Sequence, residues 1–147
     1  MFSKKSVAVV VPAHNEEKLI LRVLETMPDW VDQILVVDDC SHDGTAEKVQ
    51  RFLAGDPRVT LIRHDENKGV GGAICTGYRA SRDKGFDVTV VMAGDAQMDP
   101  DDLPRVVRPV AEEGVDYVKG NRLFRGQAWN LIPRHRYIGN AVLSLLT

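Results

Sequence analysis

The chain has 147 residues, of which 44% are hydrophobic and 27% charged, a composition that indicates one globular domain and excludes a disordered chain. Lysines and arginines number 19 and acidic residues 21, so the charge is balanced overall at −2. The longest apolar run, Val7–Pro12, is far shorter than the ~18 residues that a membrane-spanning helix needs.

Strand and helix patterns alternate along the chain. Apolar runs predict strands buried on both faces at Ser6–Pro12 and Gln33–Val37. Further strands are expected at Val59–Ile62, Val88–Met92 and Val115–Lys119. Apolar residues at helical spacing predict helices at Asn15–Met27, from a cap at Asp43 to near Gly55, at Gly69–Lys84 and at Asp101–Glu113. Asn121–Pro133 is expected to be irregular and Arg134–Leu146 to be amphipathic.

This alternation predicts an α/β fold. We expect a mostly parallel sheet with helices on both faces, in three layers, within a single domain that covers residues 1–147. In such folds ligands bind beyond the carboxyl ends of the strands. The two cysteines, Cys40 and Cys75, match no zinc or redox spacing and predict free thiols in a reducing compartment.

Acidic residues follow the first, second and fourth predicted strands. They are Glu16, Asp38, Asp39, Asp95 and Asp99. Carboxylates that converge at one edge repel each other unless a cation lies among them, and Mg²⁺ typically takes one or two carboxylates plus substrate phosphates. Asp95 and Gln97 are two residues apart, so on an extended segment both would face the same way. We interpret Asp43 and Asp101 as helix-capping acids rather than ligands.

The glycine-rich segment Asn67–Gly72 matches no standard nucleotide motif. A dinucleotide fingerprint needs glycine where this chain has Ile74, and a phosphate-binding P-loop needs a different spacing and ending. Close packing against a ligand or the sheet explains the glycines better. The side chain of Lys68 either points at a nucleotide phosphate or is an ordinary surface lysine.

The end of the chain is basic. From Lys119 onward there are five bases and no acid, whereas the first 118 residues have a net charge of −7. The bases are Lys119, Arg122, Arg125, Arg134 and Arg136. This asymmetry predicts an anionic partner, either a phosphate or an anionic lipid surface. The alternative is that these basic residues only form a surface exposed to water. No nucleic-acid motif accompanies it, so we expect no nucleic-acid partner.

Four segments, taken together and in this order, resemble the family 2 glycosyltransferases of GT-A fold. They are Pro12–Glu17, Val36–Thr45, Asn67–Gly71 and Asp95–Pro100. The subgroup that the chain resembles most is the polyprenyl-phosphate sugar transferases, similar to dolichyl-phosphate mannose synthases. The resemblance covers essentially the whole chain.

The resemblance implies a nucleotide-sugar site. Its base and ribose would be held by Pro12, His14, Glu16, Asp38 and Asp39, with Lys68 near a phosphate. Asp95 and Gln97 would hold Mg²⁺ or Mn²⁺ on the diphosphate, although the family usually has another Asp where this chain has Ala93. Arg122 would meet the acceptor phosphate, assisted by Arg136 or, as its rival, Arg134.

The implied reaction is inverting transfer of a hexose from a UDP- or GDP-sugar to a polyprenyl phosphate. The acceptor would lie at the cytoplasmic face of the membrane, where the basic C-terminal region would bind the surface peripherally. Two alternatives stay open, a transferase acting on a sugar hydroxyl and a non-catalytic nucleotide-binding module. Because the chain stops at Thr147 inside an apolar segment, we expect it to be an N-terminal piece whose acceptor side is incomplete.

Overall fold

The structure, a computed structural model, describes residues 1–120, and all elements below lie in that range. The strands are β1 (Val7–Ala13), β2 (Gln33–Asp38), β3 (Val59–Arg63) and β4 (Val88–Val91). The α-helices are α1 (Ile20–Glu25), α2 (Thr45–Phe52), α3 (Gly69–Asp83) and α4 (Leu103–Glu113), the last preceded by a 3₁₀ turn at Pro100–Asp102.

The four strands form one parallel sheet in the order β3-β2-β1-β4. Every residue of β1 is buried, as expected for a valine-rich central strand covered on both faces. The register pairs Ala13 with Asp38 and Val10 with Val91, so the carboxyl ends of β1, β2 and β4 lie at the same edge. The predicted α/β class with a parallel sheet is confirmed.

Alternate residues of β1 pack against different helices. Val9 and Val11 belong to the core cluster that contains residues of α1, α2 and the start of α4, whereas Val10 packs in the cluster that contains Ala73 of α3. On the α3 side, a Cβ at Gly77 would overlap the side chain of Val10, so glycine lets this helix lie close to the sheet. Helices therefore cover both faces, which confirms the predicted three layers.

The first helix begins later than predicted. We expected Asn15–Met27, but α1 covers Ile20–Glu25. Asn15 has a left-handed backbone with φ 57°, its N–H donates to Oγ of Ser41 at 2.9 Å, and its Oδ1 accepts from the N–H of His42 at 2.9 Å. These bonds to the loop after β2 hold the start of the predicted helix in a loop.

The predicted fifth strand is wrong for the described part of the chain, because residues 115–119 form no strand there. Gly114 ends α4 in a left-handed conformation, and the N–H of Val115 donates to the carbonyl of Pro109 at 3.2 Å instead of joining β4. Tyr117 is 72% exposed and lines, with residues of β4, an open cavity of about 390 Å³. The predictions for Asn121–Pro133 and Arg134–Leu146 lie outside the described residues.

Other findings concern the membrane and the cysteines. Among residues 1–120, no helix has both the length and the apolar character required to cross a bilayer. Cys40 and Cys75 are free thiols, as their spacing predicted.

Candidate functional site

The loops that carry the predicted site acids flank the end of β1. The N–H of Asp39 donates to the carbonyl of Ala13 at 2.8 Å, and on the other side the N–H of Gly94 donates to the carbonyl of Pro12 at 3.2 Å. Pro12 itself is buried within the sheet. The segments that contain Asp39 and Asp95 therefore meet at one edge, where ligands of α/β sheets bind.

Asp39 is the most firmly held of these acids. Its Oδ1 accepts from Nδ1 of His64 at 2.6 Å and from the N–H of Lys68 at 2.9 Å. Burial by itself raises the pKa of the Asp39 carboxyl, but the bonds from Lys68 and His64 outweigh it and hold the pKa below its ordinary value. Asp39 is therefore an ionised, acceptor-only group at neutral pH.

Asp38 is fully buried at the end of β2. Its Oδ2 accepts from Nε of Arg63 at 3.3 Å, whereas its Oδ1 has no hydrogen-bond partner among the residues that the structure describes. A buried acceptor without a partner costs about 1–3 kcal/mol, and a hydroxyl donor from a ligand would remove that cost. Because Asp38 has no solvent exposure, a contact between this oxygen and a nucleotide stays a prediction.

His14 connects the loops after β1, β2 and β3. Its Nδ1 lies 2.8 Å from the carbonyl oxygen of Asp39, so Nδ1 carries the proton and donates. Nδ2 of Asn15 lies 3.1 Å from Nε2 of His14, and Nδ2 of Asn67 lies 3.4 Å from the same ring. The imidazole is exposed, and these contacts orient it beside Asp39.

Asp95 and Gln97 lie in a turn, and the expected extended segment is wrong. Ala96 between them has a left-handed backbone with φ 53°, and Oδ1 of Asp95 accepts from the N–H of Gln97 at 3.1 Å. The Asp95 carboxylate forms this bond within its own turn. The spacing of two residues therefore does not make Asp95 and Gln97 face the same way, as it would in a strand. The turn still lies beyond the end of β4, where the acid was expected.

Glu16 and Asp95 are close enough to repel each other. Burial raises the pKa of the Glu16 carboxyl, and the negative charges of Asp95 and then Asp43 raise it further, while His14 acts in the opposite direction. The ends of β1 and β4 therefore bring two carboxylates together. A cation between them would relieve this repulsion.

The donor set fits a divalent cation that is bound mainly by substrate. Residues 1–120 contain no group of three or more acidic, histidine or cysteine side chains placed to hold a metal. Mg²⁺, however, commonly takes one or two carboxylates and fills its other positions with water and phosphate oxygens. Asp95, with Glu16 and Gln97 near it in the fold, offers hard oxygens of the kind that such a site needs.

Asp43 and Asp99 accept hydrogen bonds from backbone N–H groups, which was expected for Asp43. Oδ1 of Asp43 accepts from the N–H of Thr45 at 3.0 Å, and its Oδ2 accepts from the N–H of Glu17 at 3.1 Å. Oδ1 of Asp99 accepts from the N–H of Asp101 at 3.0 Å. Asp99, and not Asp101 as expected, is therefore the cap of the 3₁₀ turn.

The glycine-rich segment does not show the predicted packing against the sheet: an added Cβ at Gly69 or Gly71 would have no atom within 4 Å, and one at Gly72 would meet only Lys68 of the same segment. A Cβ at Gly72 would lie 2.6 Å from Cβ of Lys68, and Gly69 has a φ of 73°. The backbone of Lys68 binds Asp39, while its side chain is exposed. A contact between that side chain and a phosphate stays a prediction, and Arg122, Arg134 and Arg136 lie outside the described residues.

His64 and Thr76 also lie beside Asp39, and no motif in the sequence predicted this. Nε2 of His64 lies 2.9 Å from Oγ1 of Thr76, and the opposite ring nitrogen binds Asp39. A histidine that binds a single carboxylate belongs to no spaced motif. The usable signal was its position directly after β3, at the edge where the acids lie.

Comparisons with known proteins identify the family and the fold of the chain. The model of Glycosyl transferase family 2 matches residues 8–145. The UDP-N-acetylglucosamine–dolichyl-phosphate N-acetylglucosaminyltransferase of Methanococcus voltae is 32% identical, over 97% of this chain and 62% of that protein. The undecaprenyl-phosphate mannosyltransferase of Micrococcus luteus is 34% identical, over 82% of this chain and 49% of that protein.

A solved structure shares the fold. The mannosyltransferase of Pyrobaculum calidifontis in complex with GDP-Man and Mn²⁺ superposes with a TM-score of 0.63 at 30% identity, over 76% of this chain and 34% of that one. The chain thus spans less than two thirds of the length of these proteins.

Proposed function

Because this chain belongs to glycosyl transferase family 2, we propose that it transfers a hexose from a UDP- or GDP-sugar to a polyprenyl phosphate. The observation that carries the proposal is the convergence of the Asp39 and Asp95 segments at the end of β1. The names of the relatives from Methanococcus voltae and Micrococcus luteus support a lipid-phosphate acceptor.

The donor nucleotide would bind at the ends of β1 and β2. Asp38 and Asp39 would offer carboxylate oxygens to hydroxyl or N–H groups of the ribose and base. His14 and Glu16 follow β1 at the same edge of the sheet and would lie beside the nucleotide. Pro12 shapes the end of β1, and Lys68 would reach a phosphate. UDP and GDP are both candidate leaving groups, because the relatives named above use one or the other.

Asp95, with Gln97, would hold Mg²⁺ or Mn²⁺ together with the donor diphosphate. The bound cation supplies positive charge against the negative charge that develops on the leaving diphosphate. Ala93 stands where an additional acid would increase the negative charge, so we expect the cation to bind weakly without nucleotide. Glu16, which follows the neighbouring strand β1 at the same edge of the sheet, adds to the negative charge near Asp95.

The acceptor phosphate is already anionic near neutral pH and needs no general base. Its oxygen would attack the anomeric carbon opposite the leaving diphosphate, and the configuration inverts. Arg122 and Arg136, or Arg134 in its place, would orient the phosphate through charge-assisted bonds, and orientation contributes part of the ~7–11 kcal/mol available from proximity. The same basic region would bind an anionic membrane surface at its cytoplasmic face.

A transfer assay tests the proposal. The chain is incubated with radiolabelled UDP-N-acetylglucosamine, UDP-glucose or GDP-mannose, Mn²⁺, and undecaprenyl or dolichyl phosphate in detergent. Metal-dependent appearance of label in the organic phase as a glycosyl phosphate is the expected result. Label in an added oligosaccharide would instead indicate a hydroxyl acceptor, and nucleotide binding without transfer or hydrolysis would indicate a binding module.

A further inference from the structure

Asp39, His64 and Thr76 form a chain of hydrogen bonds between three separate elements. Building on the proposed function, we propose that His64, oriented by Thr76, is a positioning residue that holds the Asp39 carboxylate for the donor nucleotide. None of its atoms needs to touch the ligand. Its effect is transmitted through Asp39.

The three residues lie far apart in the chain and meet only in the fold. Asp39 follows β2, His64 follows β3, and Thr76 lies in the middle of α3. The side chains of His64 and Asp39 are 5% and 4% exposed. A hydrogen bond between groups so well shielded from water is strong and directional.

The direction of each bond follows from the chemistry of Asp39. An ionised carboxylate only accepts, so Nδ1 of His64 carries a proton and donates to it. In the neutral ring Nε2 is then the acceptor, and the hydroxyl of Thr76 donates to it. Thr76 thereby selects the tautomer of His64 that serves Asp39.

The arrangement prevents the Asp39 carboxylate from rotating. Oδ1 accepts from both the ring of His64 and the backbone N–H of Lys68, so two donors hold it. Oδ2 then has a fixed position from which to accept an N–H or O–H of the nucleotide. Apolar side chains of similar volume often stabilise a protein interior as well as buried polar groups do. The need to position Asp39 therefore explains this series of hydrogen bonds better than a contribution to stability does.

Two substitutions of His64 separate positioning from stability. His64→Asn keeps an N–H near the place of Nδ1, whereas His64→Gln puts an N–H near the place of Nε2 and removes the donor to Asp39. Dissociation constants for UDP and GDP with Mn²⁺ are measured by calorimetry, with the thermal midpoint measured without nucleotide. We expect His64→Asn to bind within about threefold of the parent chain and His64→Gln to bind about tenfold or more weakly.

Thr76→Val gives a second test that does not depend on the folding of the histidine variants. Its matched control is Thr89→Val, which removes the hydroxyl bonded to Ser81 at 2.6 Å, at the opposite end of the sheet. Both variants are expected to lower the thermal midpoint. Only Thr76→Val is expected to weaken nucleotide binding, by about threefold or more.

Equal affinity losses in His64→Asn and His64→Gln, or in Thr76→Val and Thr89→Val, would overturn the positioning role and leave the proposed function standing. If the parent chain binds neither UDP nor GDP in the presence of Mn²⁺, the proposed function is refuted and the inference falls with it. Nucleotide binding by the parent chain therefore distinguishes a failure of the positioning role from a failure of the proposed function.

Discussion

Asp39 and Ala13 are joined by a hydrogen bond of 2.8 Å from the Asp39 N–H to the Ala13 carbonyl. The bond extends the pairing of β1 and β2 by one step beyond Asp38, the last residue of β2. It places the second acid of the Asp38–Asp39 pair beside the end of the central strand. The candidate site is thus built directly on the most buried part of the sheet, which is rigid enough to orient a ligand.

Asp95→Ala is expected to remove the metal dependence of donor binding. Without the carboxylate beyond β4, the cation loses its main protein ligand, so nucleotide affinity with Mn²⁺ should fall about tenfold or more. Calorimetry with UDP and GDP, each with and without Mn²⁺, measures the effect. Asp101→Ala, an exposed acid nearby in the chain, is the control. Full metal-dependent affinity in Asp95→Ala would show that the metal binds elsewhere.

Arg122→Ala is expected to impair acceptor use and leave donor binding unchanged. Loss of a charge-assisted bond to a phosphate should raise KM for polyprenyl phosphate by about tenfold. The measurement combines transfer kinetics with the donor dissociation constant. Arg125→Ala removes a base from the same region as a control. An equal loss of donor and acceptor binding in Arg122→Ala would contradict the division of roles.

Gly77→Ala is expected to destabilise the chain because the new methyl group would overlap Val10 of the central strand. Overpacking of this kind costs about 1–3 kcal/mol. Gly71→Ala, in the same helix with no atom near its added Cβ, should instead raise the free energy of unfolding by about 0.5–1 kcal/mol. Urea unfolding measures the free energy of unfolding of both variants. If the two substitutions change it in the same direction, close packing of α3 against the sheet is contradicted.

The hydrogen bonds between Asp56 and Arg58 are expected to weaken in acid, which should lower the free energy of unfolding. The bonds from the Arg58 side chain hold the pKa of the Asp56 carboxyl below its ordinary value, although burial opposes them. The resulting stabilisation is complete above about pH 4 and is lost as the pH falls through the lower folded pKa. Asp56→Asn should reduce the free energy of unfolding by about 1–2 kcal/mol near pH 7 and by much less near pH 2.

Urea unfolding of Asp56→Asn and of the parent chain, from near pH 7 to near pH 2, measures this difference in the free energy of unfolding. Asp101→Asn, which removes an exposed acid, serves as the control. If Asp56→Asn and the parent chain lose stability in parallel as the pH falls, the ion pair with Arg58 does not produce the effect.

Local pattern was sufficient to predict the four parallel strands, although not to exclude a fifth, and to predict that the acids after β1, β2 and β4 lie at one edge of the sheet. Uninterrupted valine and isoleucine predicted β1 and β2, because only a strand covered on both faces buries every successive side chain. The acids directly after those strands then had to lie at one edge, because the strands are parallel. The roles of the individual acids and of the arginines beyond residue 120 stay predictions.

Only the tertiary structure decided which local tendencies prevailed. Asn15 leaves the helical pattern because Ser41 and His42 bind it, and Val115 leaves the strand pattern because the end of α4 captures its N–H. His64 becomes the partner of Asp39 across 25 residues of sequence. Periodicity records which side chains are buried within one segment, whereas these outcomes depend on hydrogen bonds between segments that only the completed fold brings together.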